Sequence, residues 1–350
     1  MAKKDKIDTP AEIKDNSSYL SELEKTISKK YGDVLFDGSH VRENKKLLIP
    51  TTPALDLSLR GGVPEGSWTL ISGQKKTGKT TLAMQIAANA QRMGKFVYYF
   101  NIEHRFGLKN LTTVKHFQTT PDVFRLIEST QDRLLSAQDH LNMAVDVISG
   151  HPGCVVILDS ISSLCSQNEM SKEVGEAARP EGPKMFGQFC RKLASIVPIN
   201  NVCVIGILHL IANTSGYGAA WMEDGGTKIQ YQCDTKLKCK TTWNWEEGSG
   251  ENAKKVGQMV DWEIAFSANG PPGDIVKTYL RFGLGYDDVW EIITLGIDLG
   301  LISKAGSWFQ YQPSVGDNLK VQGQSGLYKY FNDNPEELQL LYSNIKSMSV

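Results

Sequence analysis

The sequence predicts an α/β protein with a mostly parallel central sheet and a small α/β domain appended at its C-terminal end. Three observations carry that prediction. Apolar, β-rich runs ("WTLIS", "KFVYYF", "CVVILD", "NVCVIGIL") alternate with helix-like segments, the texture of right-handed βαβ units. The first run passes into a glycine-rich loop and then into an Ala/Leu/Met/Ile segment of helical period, residues 69–90. After about residue 283 the texture changes to "DDVWEIITLGIDLGLISKAGSWFQY" and a last helix opened by Asn334 and Pro335, with Leu338, Leu341, Tyr342 and Ile345 on one face.

Composition bounds the function. The chain has 350 residues, 41% hydrophobic and 22% charged, so a sizeable core is available and a disordered chain is excluded. No run approaches the roughly 18 apolar residues of a membrane span, and "MAKKDKIDTPAEIKD" lacks the apolar core of a signal peptide, so a cytoplasmic protein with no membrane association is expected. The six cysteines form no Cys-x-x-Cys pair, which argues against a zinc site or a disulfide framework. A net charge of −1 gives no overall basic field, so any nucleic-acid binding must come from a local groove.

In chain order, residues 1–17 are polar. Tyr19, Leu20, Leu23, Ile27 and Tyr31 then recur at helical spacing, giving an amphipathic helix that ends near Gly32 with little beside it to cover its apolar face. "RGGVPEG" marks a turn before the strand at 67–72. The loop Gly73-Gln74-Lys75-Lys76-Thr77-Gly78-Lys79-Thr80, followed by Thr81, has the Gly-x-x-x-x-Gly-Lys-Thr spacing of a phosphate cradle. Its glycines let backbone N–H groups curl around phosphates, Lys79 reaches the β/γ oxygens, and the Thr80 hydroxyl ligates Mg²⁺. ATP and Mg²⁺ are the expected cofactors.

"CVVILDSISSL" ends a strand in Asp159-Ser160. An Asp closing an apolar strand is by itself only a turn residue, but after a phosphate loop it is the carboxylate expected to hold Mg²⁺. Between the two, "KFVYYFNIEHRFG" ends a strand with Glu103-His104, the carboxylate placed to orient and deprotonate an attacking water unless it is simply a solvated edge residue. "VCVIGILHLIA" puts His209 at a strand end, where it would sense the γ-phosphate or serve as a structural histidine.

These parts fit many ATPases, ring-forming helicases included, and the flanking sequence narrows the choice. "SELEKTISKKYGDVLFDG", "IPTTPALDLSLRGGVPEGSWTLISG", "NIEH", "VVILDSISSL", "FCRKLASIV", "GILHLI", "DGGTKIQY", "RFGLGYDDVWEIITLGIDLGLISKAGSWFQY" and "QGQSGLYKYFNDNPEEL" resemble, in order, the RecA family of homologous-recombination ATPases. The resemblance implies a RecA-type P-loop ATPase core over 46–283, an N-terminal tail and polymerisation helix over 1–45, and a C-terminal domain over 284–350. It implies an ATP-dependent strand-exchange recombinase that forms helical filaments on single-stranded DNA and pairs it with duplex DNA, assisted by mediator and single-strand-binding proteins. Two DNA-binding loops are implied at 169–184 and 210–226. Lys184 and Arg191 match backbone-binding positions, Arg179 joins them, Tyr217 and Trp221 are aromatics suited to stacking on bases, and Gly225-Gly226 form the closing hinge.

Three departures separate this chain from bacterial members. The adenine-stacking tyrosine is missing, and "EHRFGLKN" offers only Phe106. No acidic tail follows "SNIKSMSV". The lysine pair that reaches a neighbour's phosphate has no counterpart within "GQMVDWEIAFSANGPPG", so Lys254, Lys255, Lys277 and Arg281 are the nearest replacements. With His209 in place of the usual Gln, these imply a divergent, phage-encoded recombinase.

Overall fold

The computed structural model describes residues 17–40, 45–176, 181–213, 220–224, 227–248, 250 and 253–348. The chain divides into two units, Met1–Lys45 and Lys46–Val350. In the first, helix α1 (Ser17–Tyr31) is the expected amphipathic segment, stopped by Gly32 at φ 80°. Leu20, Leu23 and Tyr31 on it, and Val34, Leu35 and Phe36 after it, are exposed.

The second unit opens with β1 (Leu48–Ile49), helix α2 (Pro53–Ser58) and β2 (Val63–Pro64). The central sheet is made of β3 (Ser67–Gly73), β4 (Val97–Asn101), β5 (Phe124–Ile127), β6 (Val155–Asp159), β7 (Cys203–Ala212), β8 (Trp221–Asp224), β9 (Thr235–Glu247), β10 (Lys254–Phe266), β11 (Ile275–Arg281) and β12 (Gly285–Tyr286). Its order is β12-β11-β10-β9-β3-β7-β6-β4-β5, with β8 folded back on the end of β7. From β9 to β5 every pairing is parallel, and β10 to β12 extend one edge antiparallel.

The near-continuous apolar runs arise because the parallel strands are covered on both faces. Alternate residues of β6 enter opposite cores: Val155 and Ile157 pack beneath helix α3 (Lys79–Arg92) with Leu82 and Ile86, while Val156 and Leu158 pack with Leu141 and Ile148 of α4 (Ala137–Gly150) and with Phe186, Phe189 and Leu193 of α5 (Gly182–Leu193). The 13-residue hairpin strands β9 and β10 did not stand out in the sequence, although "TKLKCKTTWNWEE" alternates.

C-terminal to the sheet, α6 (Asp288–Asp298), the three-stranded antiparallel β13 (Ser303–Ala305), β14 (Trp308–Tyr311) and β15 (Leu319–Gln322), α7 (Gln324–Asp333) and α8 (Pro335–Met348) enclose a separate core of Ile293, Ile302, Phe309, Leu327, Phe331, Leu341 and Ile345. Buried Glu291 joins this lobe to the sheet by accepting from Ala54 N at 3.1 Å and Tyr279 N at 3.0 Å. Burial, reinforced by the neighbouring Asp288, pushes its carboxyl up to about 8. Among the described residues no helix is long and apolar enough to cross a membrane.

Candidate active site

Strand register assembles the site. Gly73 at the end of β3 lies beside His209 on β7, and Asn101 at the end of β4 lies beside Asp159 on β6. All four strands run parallel, so their C-terminal ends share one edge, where ligands bind in such sheets. The phosphate loop spans β3 and α3. Lys76 (φ 62°) and Gly78 (φ 87°) make its left-handed turns, and Gly78 is the helix N-cap with no side-chain cap. The first N–H groups of α3 are therefore open to an anion. A Cβ at Gly73 would lie 2.8 Å from the Cβ of Cys239 and 2.9 Å from Thr77 Oγ1, which explains glycine there.

A cavity of about 270 Å³ is lined by Lys75, Lys76, Thr77, Gly78, Lys79, Thr80, Thr81, Glu103, Asp159 and His209, with Tyr99, Arg105, Phe106 and Asn110 completing it. Gln74 stands outside this lining, and its carbonyl accepts from Lys79 Nζ at 2.6 Å and Thr77 Oγ1 at 2.9 Å. Burial pulls the Lys79 ammonium down, opposed by Asp159 and Glu103. Thr80 Oγ1 donates to Asp159 Oδ2 at 2.9 Å, and Tyr99 OH donates to the same oxygen. Burial raises the Asp159 carboxyl against those two hydrogen bonds. The Asp159–Ser160 peptide is cis.

Glu103 is the most heavily engaged group. Its Oε1 accepts from Ser160 Oγ at 2.5 Å and Ser163 Oγ at 3.0 Å and lies 3.0 Å from His209 Nε2, while Oε2 faces Arg105 Nη1 at 2.9 Å. Burial would raise its carboxyl, but Ser160, His209, Ser163 and Arg105 together hold it below its ordinary value. Burial pulls His209 down, opposed by Glu103, and because a carboxylate only accepts, Nε2 is the nitrogen that presents a proton to it. Phe106 reaches the cavity yet packs on Tyr99 and Phe124, with ring centroids 4.5 and 5.9 Å away.

From this site β7 runs on to Ala212 and pairs antiparallel with β8, His209 opposite Asp224 and Ala212 opposite Trp221. Trp221, expected in a loop, thus sits on a strand with its ring exposed. The strand is held because Glu223 accepts from Ser72 Oγ at 2.8 Å and pairs with Lys236 at 2.5 Å. A second cavity, about 330 Å³, lies between Trp221, Lys238 and Lys240 and the phosphate-loop residues Gln74 and Thr77. On α5, Lys184 and Arg191 are exposed at i and i+7, on the face opposite Phe186, Phe189 and Leu193. Arg179, Tyr217, Gly225 and Gly226 lie outside the described residues.

Sequence reasoning missed Tyr99, Ser163 and the Glu223–Lys236 pair, whose partners lie 60, 60 and 13 residues away, and also Arg105, which stands two residues from Glu103 within the quoted "EHRFG". Arg281 leaves the set of outward-reaching cations. Its guanidinium is bound to Asp287 and Glu247 at 2.6 and 2.8 Å and stacked on Trp245 and Tyr328.

A strand–loop–helix phosphate cradle, a hydroxyl and carboxylate meeting beside its lysine, and a glutamate at the neighbouring strand end define a P-loop ATPase. The RecA N-terminal domain model matches residues 16–286 and the RecA C-terminal domain model matches 290–349; the chain belongs to the RecA family. It is 28% identical to Protein RecA of Cytophaga hutchinsonii over 319 residues, covering 91% of this chain and 85% of that protein. Protein RecA of Thermotoga neapolitana is 26% identical over 350 residues (96% and 94% covered), and that of Aquifex aeolicus 28% over 324 (91% and 87%). The chain is accordingly a recombinase and DNA-dependent ATPase, and the ring-forming helicase reading is not favoured.

Proposed function

We propose that ATP-bound subunits of this chain assemble head to tail into helical filaments on single-stranded DNA and pair it with homologous duplex, and that hydrolysis at the cavity described above releases the filament. The observation that carries this is Glu103, fixed between the phosphate loop and His209 on the strand that continues toward Trp221. Lys79 neutralises phosphate charge, Gly73–Thr81 and Ser160 cradle the nucleotide, Glu103 takes the proton of the attacking water, and His209 relays the state of the site into β7. Thr80 and Asp159 supply a hydroxyl and a carboxylate, hard oxygen donors 2.9 Å apart that suit Mg²⁺. When bound there, Mg²⁺ adds positive charge at the phosphates.

Lys184, Arg191 and Arg179 hold the DNA backbone, Trp221 and Tyr217 stack on bases, and Gly225-Gly226 hinge the second loop. The exposed apolar residues from Leu20 to Phe36 support polymerisation through residues 1–45 onto a second copy's core (46–283), with 284–350 as the small terminal domain. Mediator and single-strand-binding partners, a cytoplasmic setting and a phage origin complete the reading; 26–28% identity to the three bacterial relatives fits a separate lineage.

The test is Glu103→Gln with ATP and single-stranded DNA, followed by negative-stain imaging and phosphate release. Turnover should fall about 10²–10⁴-fold, the contribution of a positioned base, while open helical filaments persist. Near-normal hydrolysis would move the base elsewhere, and closed rings would revive the helicase reading.

A further inference from the structure

Arg105 is a cation inside the nucleotide cavity that neither the phosphate loop nor the metal ligands supply. It comes from the segment after β4, the side from which Glu103 enters, whereas Lys75, Lys76 and Lys79 all come from the phosphate loop. Its backbone is anchored, since Arg105 N and Phe106 N donate to Asn101 Oδ1 at 3.0 and 3.1 Å. Its side chain is free to move, being 68% exposed against 10% for Glu103. Glu103 Oε1 already has three partners, so Oε2 is the oxygen left for a water. Arg105 is the partner of Oε2 among the described residues, and the guanidinium stands where the base must work.

We propose that Arg105 is a catalytic residue for this chain's ATPase: its guanidinium occupies Glu103 Oε2 until a terminal phosphoryl group enters the cavity, then re-pairs with that group. The pair is open to solvent on its arginine side, so the guanidinium can leave, and a terminal phosphate carries more charge and offers oxygens matched to the guanidinium fork. The exchange does two things at once. It frees Oε2 to take the proton as the water oxygen forms its bond to γ-phosphorus and the bridging O–P bond breaks, its electron pair leaving with ADP. It also adds a positive charge beside the phosphoryl oxygens, where charge is spread in the transition state. In the ground state Arg105 trades one anion for another, so only the difference between the two pairings enters nucleotide affinity, less than the cation adds in the transition state.

This rests on Glu103 being the base, and the test separates the two claims. Arg105→Ala and Arg105→Lys, in the full chain with single-stranded DNA, are compared for kcat, for KM and for affinity toward a non-hydrolysable ATP analogue, with Glu103→Gln alongside. Arginine cations in phosphoryl transfer reach about 10³–10⁵ in rate, so Arg105→Ala should lower kcat at least about tenfold with analogue affinity and KM little changed. Arg105→Lys should recover part of the loss. If Glu103→Gln is inactive while Arg105→Ala keeps wild-type kcat, the proposal fails and the base assignment stands. Analogue affinity falling in step with kcat would also overturn it, making Arg105 a binding residue only. A fully active Glu103→Gln would remove the base assignment and this proposal with it.

Discussion

Arg281→Ala is expected to destabilise the protein by about 3–5 kcal/mol. Asp287 is buried, its side chain only 1% exposed, and it receives Arg281 Nε at 2.6 Å. Removing one partner of such a pair strands a buried charge, which costs about 3–5 kcal/mol. Two donors remain to Asp287, Tyr328 OH at 3.0 Å and Trp290 N at 3.1 Å, and they pull this contribution toward its lower end. Glu247 is about one third exposed at 35%, so its pairing with Arg281 at 2.8 Å adds only about 0–1 kcal/mol. Loss of the guanidinium from the Trp245 ring, 4.3 Å from its centroid, adds about 0.5–1 kcal/mol. Urea titration at neutral pH reads the sum as a lowered midpoint at unchanged slope. A loss under about 1 kcal/mol would refute the reasoning. So would a stable variant that had lost DNA-stimulated hydrolysis, because Arg281 would then be the cation that reaches across to a neighbouring subunit.

Other perturbations read other parts. Glu291 has its folded value raised to about 8 from an ordinary 4.5, so its proton favours the folded form; that stability is complete below about pH 4.5 and is lost as pH rises through 8, and Glu291→Gln should make urea midpoints fall less steeply over about pH 5–8.5, Asp288 and Asp56, raised to about 7 and about 6, keeping the remaining slope, whereas identical pH profiles would exclude a contribution from this carboxyl. Gly78→Ala places a Cβ 2.8 Å from Leu280 Cδ1 and Tyr286 OH at a left-handed φ of 87°, which should cost about 1–3 kcal/mol and weaken a fluorescent ATP analogue's binding; unchanged affinity would show that the loop adapts. Lys79→Ala should abolish ATP turnover, measured as phosphate release, and retained hydrolysis would contradict its placement. Trp221→Ala should weaken single-stranded DNA binding by about 1–3 kcal/mol with basal ATPase intact, and equal anisotropy titrations would move the stacking site off β8.

The parallel core was legible because strands buried on both faces leave unbroken apolar runs, and the phosphate loop because its chemistry demands glycines at fixed spacing. The four strand ends carrying Gly73, Glu103, Asp159 and His209 could be placed from the order of those runs alone. What escaped were contacts fixed by register and by partners far along the chain. Nothing near Arg281 in sequence announces Glu247, 34 residues away, and nothing near Ser72 announces Glu223. β8 was unreadable as a strand because four residues carry too short an alternation, and its order comes from Glu223 and from the end of β7. The Phe106 ring was legible as an aromatic near the nucleotide, but its packing against Tyr99 and Phe124 was not.

On the proposed reading, with DNA at Trp221 and the nucleotide sensed by His209, the pairing of β7 with β8 also sets how far news of DNA has to travel. His209 and Ala212 are three residues apart on one extended strand, about 10 Å at 3.3 Å per residue, and Ala212 faces Trp221 directly. A molecule wired this way needs no hinge and no travelling domain to report occupancy. The stretch from His209 to Ala212 is laddered to β8 residue by residue, so a displacement at the aromatic tip has a short, hydrogen-bonded route to the imidazole. Timing of hydrolysis then belongs to side-chain rearrangements rather than to slow collective motions, and thickening the solvent should leave the DNA response of turnover almost unchanged.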